Sequence, residues 1–105
     1  MFRFEELNIY KESLLFVTDV YRLTKDWPRF ETYGLGDQFR RAAVSISLIL
    51  DMSRGSCYEC VSILKIALGE KYIDESKYVY FYNKLELMSK MISGLKNSLS
   101  TNHEH

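Results

Sequence analysis

The stretch QFRRAAVSISLILDMSRGSCYECVSILKIAL, residues 38–68, contains the longest regular apolar pattern of the chain and decides its fold. Its apolar and small residues recur in alternating steps of four and three, which place their side chains on one face of a helix. These positions, called the middle seam below, are Phe39, Ala43, Ile46, Leu50, Ser53, Cys57, Cys60, Leu64 and Ala67. Gly55 is the one glycine in the stretch, and it costs roughly 1 kcal/mol relative to Ala in a helix. The pattern therefore predicts one uninterrupted helix over residues 37–69.

Such a helix would be roughly 50 Å long at about 1.5 Å per residue, which is about the width of a compact domain of this size. An antiparallel hairpin would need a turn of about 2–8 residues, and no Pro, Gly or Asn marks one between Phe39 and Ser53. We therefore expect the helix to reach beyond its own subunit. A partner chain would then supply the missing packing, as in a domain-swapped dimer.

Two further helical patterns flank this segment. The first predicted helix, Asn8 to Lys25, ends at Asp26-Trp27-Pro28, because a proline disfavours helical geometry in the residue before it. Its predicted seam consists of Leu7, Tyr10, Leu14, Val17 and Tyr21. The last predicted helix has the seam Tyr78, Phe81, Leu85, Met88, Ile92, Leu95 and Leu99.

Glycines and short polar residues predict the ends of these helices. Residues 30–37 are expected to form a loop, with Gly36 or Asp37 capping the middle helix. Gly69 is expected to close the middle helix, and Asp74 to cap the last one.

The predicted fold class is all-α, because no strand pattern competes with the helical ones. We expect an up-and-down helical bundle of the four-helix type, with the second and third helices fused into one long helix. Residues 1–99 form a single helical-bundle domain, since a chain of 105 residues is long enough for one core but too short for two. Residues 100–105, STNHEH, are polar and are predicted to be a disordered tail.

The stretch TKDWPRFETYGLGDQFRRAAVSI, residues 24–46, resembles the signature of the four-helix bundle family of 23S ribosomal RNA intervening-sequence proteins. The shared features are a proline after an aromatic residue, a Gly-Leu pair before the second helix, and the block from Gln38 to Ile46. RGSCYECVSILKIALGEKYID and MISGLKNSL, further along the chain, resemble the third and fourth helices of the family. The resemblance implies a small bundle without enzymatic activity that commonly forms a ring-like homo-oligomer of five chains. Related accessory proteins of diversity-generating retroelements act with a reverse transcriptase and nucleic acid through a basic surface.

The chain departs from this family after Ser45 and Ile46. Family members usually continue with a Pro-Ser-Asn-Ile-Ala-Glu-Gly-like segment that makes the turn between the second and third helices. Here Ser47-Leu48-Ile49-Leu50-Asp51-Met52 follows directly. The resemblance therefore implies that this loop is deleted, which agrees with the prediction of a fused helix.

Charge and composition limit the classes of partner. Fourteen basic residues balance fourteen acidic ones, so the chain lacks the basic excess of a dedicated nucleic-acid binder. Nucleic acid is therefore a weakly supported partner. No stretch approaches the ~20 apolar residues of a membrane-spanning helix, so no membrane association is expected. Two cysteines without an export signal or a disulfide-rich pattern indicate a reducing cytoplasm.

The Cys57-x-x-Cys60 spacing is typical of redox pairs and of zinc sites, but its position favours packing. Redox pairs usually lie at a helix N-terminus, which stabilises the thiolate, whereas these two lie within a predicted helix on the middle seam. Zinc would need two more ligands, and His103 and His105 are separated by one residue near the end of the chain. We therefore predict core packing, with no metal and no cofactor. A thiol-dependent sensor is the weaker alternative.

Basic and aromatic residues supply the remaining candidate sites. Arg40, Arg41, Lys77 and Lys84 are candidate contacts for nucleic acid or a partner, although ordinary solvated helix surface is the favoured explanation, since the chain as a whole is neutral. Arg40 has the additional structural role of pairing with an acid such as Asp37 or Glu5. The candidate oligomer interface consists of Tyr80, Tyr82, Leu48 and Ile49.

No catalytic set of residues emerges from the sequence, so we expect a protein that is not an enzyme. The predicted function is a self-associating interaction or scaffold protein, either a swapped dimer or a ring such as a pentamer. The alternative is an RNA- or DNA-associated accessory factor that works with a larger nucleic-acid enzyme such as a reverse transcriptase.

Overall fold

The computed structural model describes the backbone of residues 4–48 and 53–103, and the side chains of residues 6–48 and 55–97. Within these ranges the chain contains helices and no strand, as the all-α prediction requires. The elements are α1 (Phe4–Thr24), a 3-10 turn (Arg29–Glu31), α2 (Leu35–Leu48), α3 (Ser53–Gly69) and α4 (Glu75–His103). The prediction of a fused second and third helix is therefore wrong.

Side-by-side packing of α2 and α3 shows that they are two helices. The hydroxyl of Ser56 donates a hydrogen bond to the hydroxyl of Ser45 at 2.8 Å. In one continuous helix these residues would lie about 16 Å apart along the axis, at about 1.5 Å per residue. The expectation failed because the spacing of apolar residues shows only which face of a helix is buried. The same spacing can continue from one helix into the next when a turn separates two antiparallel helices. The deleted loop remains a prediction, since residues 49–52 lie outside the described part of the chain.

The four helices pack in sequence order around one core, with α1 against α2, α2 against α3, α3 against α4, and α4 against α1. Aromatic rings fill the core near the middle: Phe16 contacts Phe39 and Phe81 edge-on, with ring centroids 6.3 and 5.8 Å apart. Phe39 and Phe81, on the diagonally placed α2 and α4, meet across the core at 6.2 Å.

The middle and last seams are confirmed where side chains are described, except that Tyr78 is half-buried. The buried members are Phe39, Ala43, Ile46, Cys57, Cys60, Leu64, Ala67, Phe81, Leu85, Met88, Ile92 and Leu95. Leu50, Ser53 and Leu99 lie outside the described side chains.

The predicted seam of the first helix is wrong. The face of α1 that enters the core carries Ile9, Ser13, Phe16, Val20 and Thr24. Four of the five predicted seam residues are exposed instead, and Val17 is half-buried. The sequence of α1 contains two apolar stripes, rotated from one another by about a quarter of a turn, and periodicity does not say which one faces the core.

The entry into α2 differs from the expected Gly36 or Asp37 cap. α2 begins at Leu35, two residues before the predicted start at residue 37, and the backbone N–H of Leu35 donates to Oε1 of Glu31 at 2.9 Å. Gly36 has another role, because a Cβ there would lie 2.8 Å from the carbonyl oxygen of Glu31. A side chain at this position would therefore push the 3-10 turn away from α2.

The turn from α3 to α4 is a Schellman motif centred on Lys71. The N–H of Tyr72 donates to the carbonyl of Ala67 at 2.9 Å, and that of Lys71 to the carbonyl of Leu68 at 3.1 Å. Lys71 adopts a left-handed conformation with φ of 64°, so it takes the position that the sequence suggested for Gly69. Asp74 caps α4 as predicted, since its Oδ1 accepts the N–H of Lys77 at 2.8 Å and this bond lowers the pKa of the carboxyl.

The helices differ in length. α4 has 29 residues, about 43 Å, whereas α2 has 14 residues, about 21 Å. α4 runs to His103, so its backbone includes the first four residues of the segment that was expected to be a disordered tail.

Candidate functional site

A line of exposed apolar side chains runs along α1 beside α2. Leu7, Tyr10, Leu14 and Tyr21 are 42–52% exposed, and we call them the α1 stripe. Leu48, at the end of α2, is 71% exposed and lies next to the start of this stripe, since both border one groove. The groove has a volume of about 450 Å³, and its apolar lining comes from Leu7, Ile9, Tyr10, Ile46 and Leu48. The stripe and the groove form one largely apolar surface between α1 and α2.

The predicted interface residues do not share one surface. Tyr80 faces α1, where its hydroxyl donates to Oδ2 of Asp19 at 2.8 Å, and this hydrogen bond raises the pKa of the phenol. Tyr82 faces α3, where it borders a second groove together with Cys57 and Val61. Leu48 lies on α2, at the groove beside the α1 stripe, and Ile49 is outside the described residues.

The predicted basic residues are also divided. Arg40 and Arg41 lie on α2, while Lys77 and Lys84 lie on the diagonally placed α4. The ammonium of Lys84 is 5.7 Å from the centre of the Tyr80 ring, whose hydroxyl binds an acid of α1. The structure therefore does not bring the four cations together into one strip.

Arg41 is the cation that pairs with Asp37, rather than Arg40. Its Nε lies 2.8 Å from Oδ2 of Asp37 one turn earlier on α2, and the Arg41 side chain is mostly exposed. An exposed pair of this kind contributes about 0.3–0.5 kcal/mol.

Arg40 instead connects three segments of the chain. Its Nη1 donates to Oγ1 of Thr24 at 3.0 Å and its Nη2 to the carbonyl of Thr32 at 2.7 Å. The guanidinium also lies 5.9 Å from the centre of the Tyr21 ring. Arg40 thus holds the end of α1 and the 3-10 turn against α2. No sequence pattern predicts these partners, because threonine hydroxyls and backbone carbonyls have no characteristic spacing.

Around Arg40 the surface is concave and basic. A hollow of about 480 Å³ is lined by three cationic side chains, Lys25, Arg29 and Arg40. Its remaining lining comes from Tyr21, Thr24, Trp27 and Thr32. We call this the basic hollow. None of its three cations forms an ion pair among the described residues.

Next to the basic hollow, Glu31 joins the 3-10 turn to the α3–α4 turn. The hydroxyl of Tyr72 donates to Oε2 of Glu31 at 2.8 Å, and this bond, with partial burial, raises the pKa of Tyr72 to about 12. Trp27 packs between Phe39 and Tyr72, with ring centroids 6.0 and 5.4 Å apart. Its Nε1 is buried and has no hydrogen-bond partner among the described residues.

Cys57 and Cys60 pack in the core, as predicted. Burial raises the pKa of the Cys57 thiol to about 11, and it raises the pKa of Cys60 further above its usual range. The thiolate is the reactive form of cysteine, so both side chains are poor nucleophiles at neutral pH. Within the described part of the chain, no cluster of three or more His, Cys, Asp or Glu side chains could hold a metal ion.

The described helices are those of a four-helix bundle that packs in sequence order. No described helix is long and apolar enough to cross a membrane.

The 23S rRNA-intervening sequence protein family is the one that this chain resembles, and its sequence model matches residues 5–50, which span α1, the 3-10 turn and α2. The resemblance noted from residues 24–46 is thereby confirmed. The similarity of the two later stretches, beyond residue 50, stays a prediction. No curated protein matches the chain.

Proposed function

We propose that this protein is a non-catalytic interaction protein that associates with a second copy of itself through the α1 stripe. The observation that supports the proposal is the exposure of Leu7, Tyr10, Leu14 and Tyr21 along one face of α1. Exposed apolar residues are common when they are scattered singly, but a continuous line of them is typical of an interaction surface. Two of the four are tyrosines, which are enriched in protein interfaces.

The occupant is a second copy because α1 is complementary to itself. Glu6 lies at the beginning of the stripe, and Arg22 and Lys25 lie at its end. If two stripes pair in antiparallel orientation about a two-fold axis, the acidic beginning of one α1 meets the basic end of the other. The net charge of zero means that two copies have no overall repulsion to overcome.

The experiment is size-exclusion chromatography with light scattering on the parent and on two variants. Leu14→Lys places a charge in the middle of the α1 stripe, whereas Leu87→Lys places the same charge on α4 at a residue of equal exposure, 45% against 42%. We expect a parent mass of two chains of 12.4 kDa, a monomer for Leu14→Lys, and an unchanged dimer for Leu87→Lys. A monomeric parent, or equal effects of the two variants, would contradict the proposal.

A role in nucleic-acid binding has less support, since Arg40 and Arg41 lie on another corner of the bundle than Lys77 and Lys84. The same chromatography tests this second function when absorbance is read at 260 and 280 nm at low salt. Excess absorbance at 260 nm that disappears at high salt would favour the accessory-factor role, because phosphate contacts weaken with salt.

A further inference from the structure

We propose that the basic hollow is a binding site for a single phosphate group, carried either by free phosphate or by a nucleoside monophosphate. Arg40 is the central element. Its guanidinium carries five N–H donors, of which two bind Thr24 and Thr32. The remaining three donors have no partner among the described residues, and Arg40 is half-buried.

The charges around the hollow favour a dianion. Lys25 and Arg29 add two positive charges beside Arg40, and none of the three is neutralised by an ion pair in the described structure. The neighbouring acids have other roles or positions: Glu31 binds Leu35 and Tyr72, and Asp37 pairs with Arg41. Asp26 is the remaining acid in this stretch of the chain, and it is exposed. The donors to Glu31 are neutral, so its charge also counts: with Asp26 and Glu31 both included, an excess of one positive charge remains.

The Trp27 indole lies beside the hollow without facing it. Trp27 contributes to the lining, whereas its indole N–H is buried and lacks an acceptor among the described residues. Buried donors without a partner are rare in folded proteins, and each one costs about 1–3 kcal/mol. Because this nitrogen has almost no accessible surface, a ligand in the hollow would reach it only after the indole moved. The proposal therefore rests on the three cations of the hollow.

Phosphate fits this site better than a carboxylate does. Arginine side chains bind phosphate oxygens with two parallel hydrogen bonds, and the three cations surround the hollow from the residue after α1, the 3-10 turn and α2. A tetrahedral dianion can accept from all three directions, whereas a carboxylate is planar and carries one charge. The volume of about 480 Å³ is large enough for a phosphate with part of an attached nucleoside.

The test is isothermal titration calorimetry of the full chain at low salt with inorganic phosphate, uridine 5′-monophosphate, uridine and acetate. We expect both phosphate compounds to bind and uridine and acetate not to bind. Equal affinity for the two phosphate compounds would identify the free ion as the ligand, and tighter binding of the nucleotide by about tenfold or more would identify the nucleotide. Absence of phosphate binding, or equal binding of acetate, would overturn the proposal.

Three variants localise the site. Arg29→Ala removes an exposed cation whose side chain forms no hydrogen bond or ion pair among the described residues, and we expect about a tenfold loss of phosphate affinity. Arg40→Lys keeps the charge but removes the planar fork, and we expect a loss at least as large. Lys65→Ala, an exposed cation of α3, is the matched control and should leave binding unchanged. Unchanged binding in Arg29→Ala would show that the hollow is not the site. Arg29→Ala and Lys65→Ala change no residue that contacts the α1 stripe, whereas Arg40 lies against the ring of Tyr21, so the mass of Arg40→Lys is also measured by light scattering.

Discussion

The two ends of the bundle are built differently. At the end that carries Trp27, aromatic rings and directional hydrogen bonds fix the segments: Trp27 packs between Phe39 and Tyr72, and Arg40 and Glu31 connect the turn to the helices. At the other end, where α2 ends and α3 begins, the buried side chains are aliphatic or sulfur-containing except for Ser13 and Ser56, and the groove of about 450 Å³ opens between α1 and α2. The hydrogen bond between Ser45 and Ser56 is the interhelical polar contact described there.

The two kinds of contact differ in how strictly they define the geometry of each end. Hydrogen bonds and fitted rings define one geometry, because a shifted arrangement would leave polar groups unpaired. Aliphatic contacts are less directional, so the groove end can adapt to a neighbour. The fixed end therefore suits a small anion, and the adaptable end suits a second protein chain.

The largest effect is expected for two truncations on α2, one toward each end. Phe39→Ala removes a fully buried ring with three aromatic neighbours and should lower the free energy of unfolding by about 4 kcal/mol. Ile46→Ala removes a side chain that borders the open groove, so the site can rearrange and the loss should be about 2 kcal/mol. Urea unfolding followed by circular dichroism measures both values. Equal losses would mean that the two ends are packed equally well.

The next effect concerns thiol reactivity at the groove end. In a Cys60→Ser background, Cys57 should react with a disulfide reagent at pH 8 about 100-fold more slowly than in urea, since its pKa is raised to about 11 from an ordinary value of 9.0. Because the folded-state pKa is the higher one, burial of the neutral thiol stabilises the fold below pH 9, and this contribution is lost as the pH rises toward 11. A native rate close to the rate in urea would show that this end opens freely.

A smaller effect is expected at the α3–α4 turn. Lys71→Gly should raise the free energy of unfolding by about 1 kcal/mol, because glycine adopts the left-handed conformation of this residue without strain. Lys65→Gly, within the exposed face of α3, should lower it by about 1 kcal/mol. The pair is compared by thermal and urea unfolding. Destabilisation by both substitutions would mean that φ at Lys71 is negative in solution.

The smallest effect at neutral pH involves Tyr72. Its pKa of about 12 in the folded protein exceeds the ordinary value of 10.0, so the protonated hydroxyl stabilises the fold fully below pH 10 and loses this contribution between pH 10 and 12. The urea midpoints of the parent and Tyr72→Phe should therefore differ at pH 8 and converge toward pH 12. Tyr33→Phe, at an almost fully exposed residue, serves as the control. A constant difference across this range would argue against the bond to Glu31.

Periodicity predicted the helices well and their surroundings less well. It located α1 and α4 and most of the buried residues of the last three helices. Apolar residues spaced three and four apart identify one face of a helix from the sequence of that helix alone. It could not choose between the two stripes of α1, since Leu7 and Ile9 are equally apolar and the choice depends on where α2 and α4 lie. The same limit explains the failed fusion of α2 and α3, because a seam carries no information about the direction of the next helix.

The candidate sites also combine residues that the sequence identifies with contacts that only the tertiary structure defines. Arg40 was recognised as a residue of interest, but its partners Thr24 and Thr32 depend on how the 3-10 turn folds back toward α2. Gly36 is predicted as a cap, whereas in the structure it allows the Glu31 carbonyl to approach α2 at a distance that a Cβ would prevent. Both contacts join residues whose proximity is set by tertiary structure.

The unequal helix lengths have a consequence for how this architecture can vary. The contacts of Trp27, Arg40 and Glu31 lie at one end of the bundle, so α2 and α3 can lengthen or shorten at the far end, beyond the Ser45–Ser56 hydrogen bond, without disturbing them. A change of seven residues in each arm would preserve the phase of the seam, since seven residues are close to two helical turns. The bundle therefore has one end fixed by directional contacts and one end that can be extended, and insertions or deletions of whole heptads can change its height.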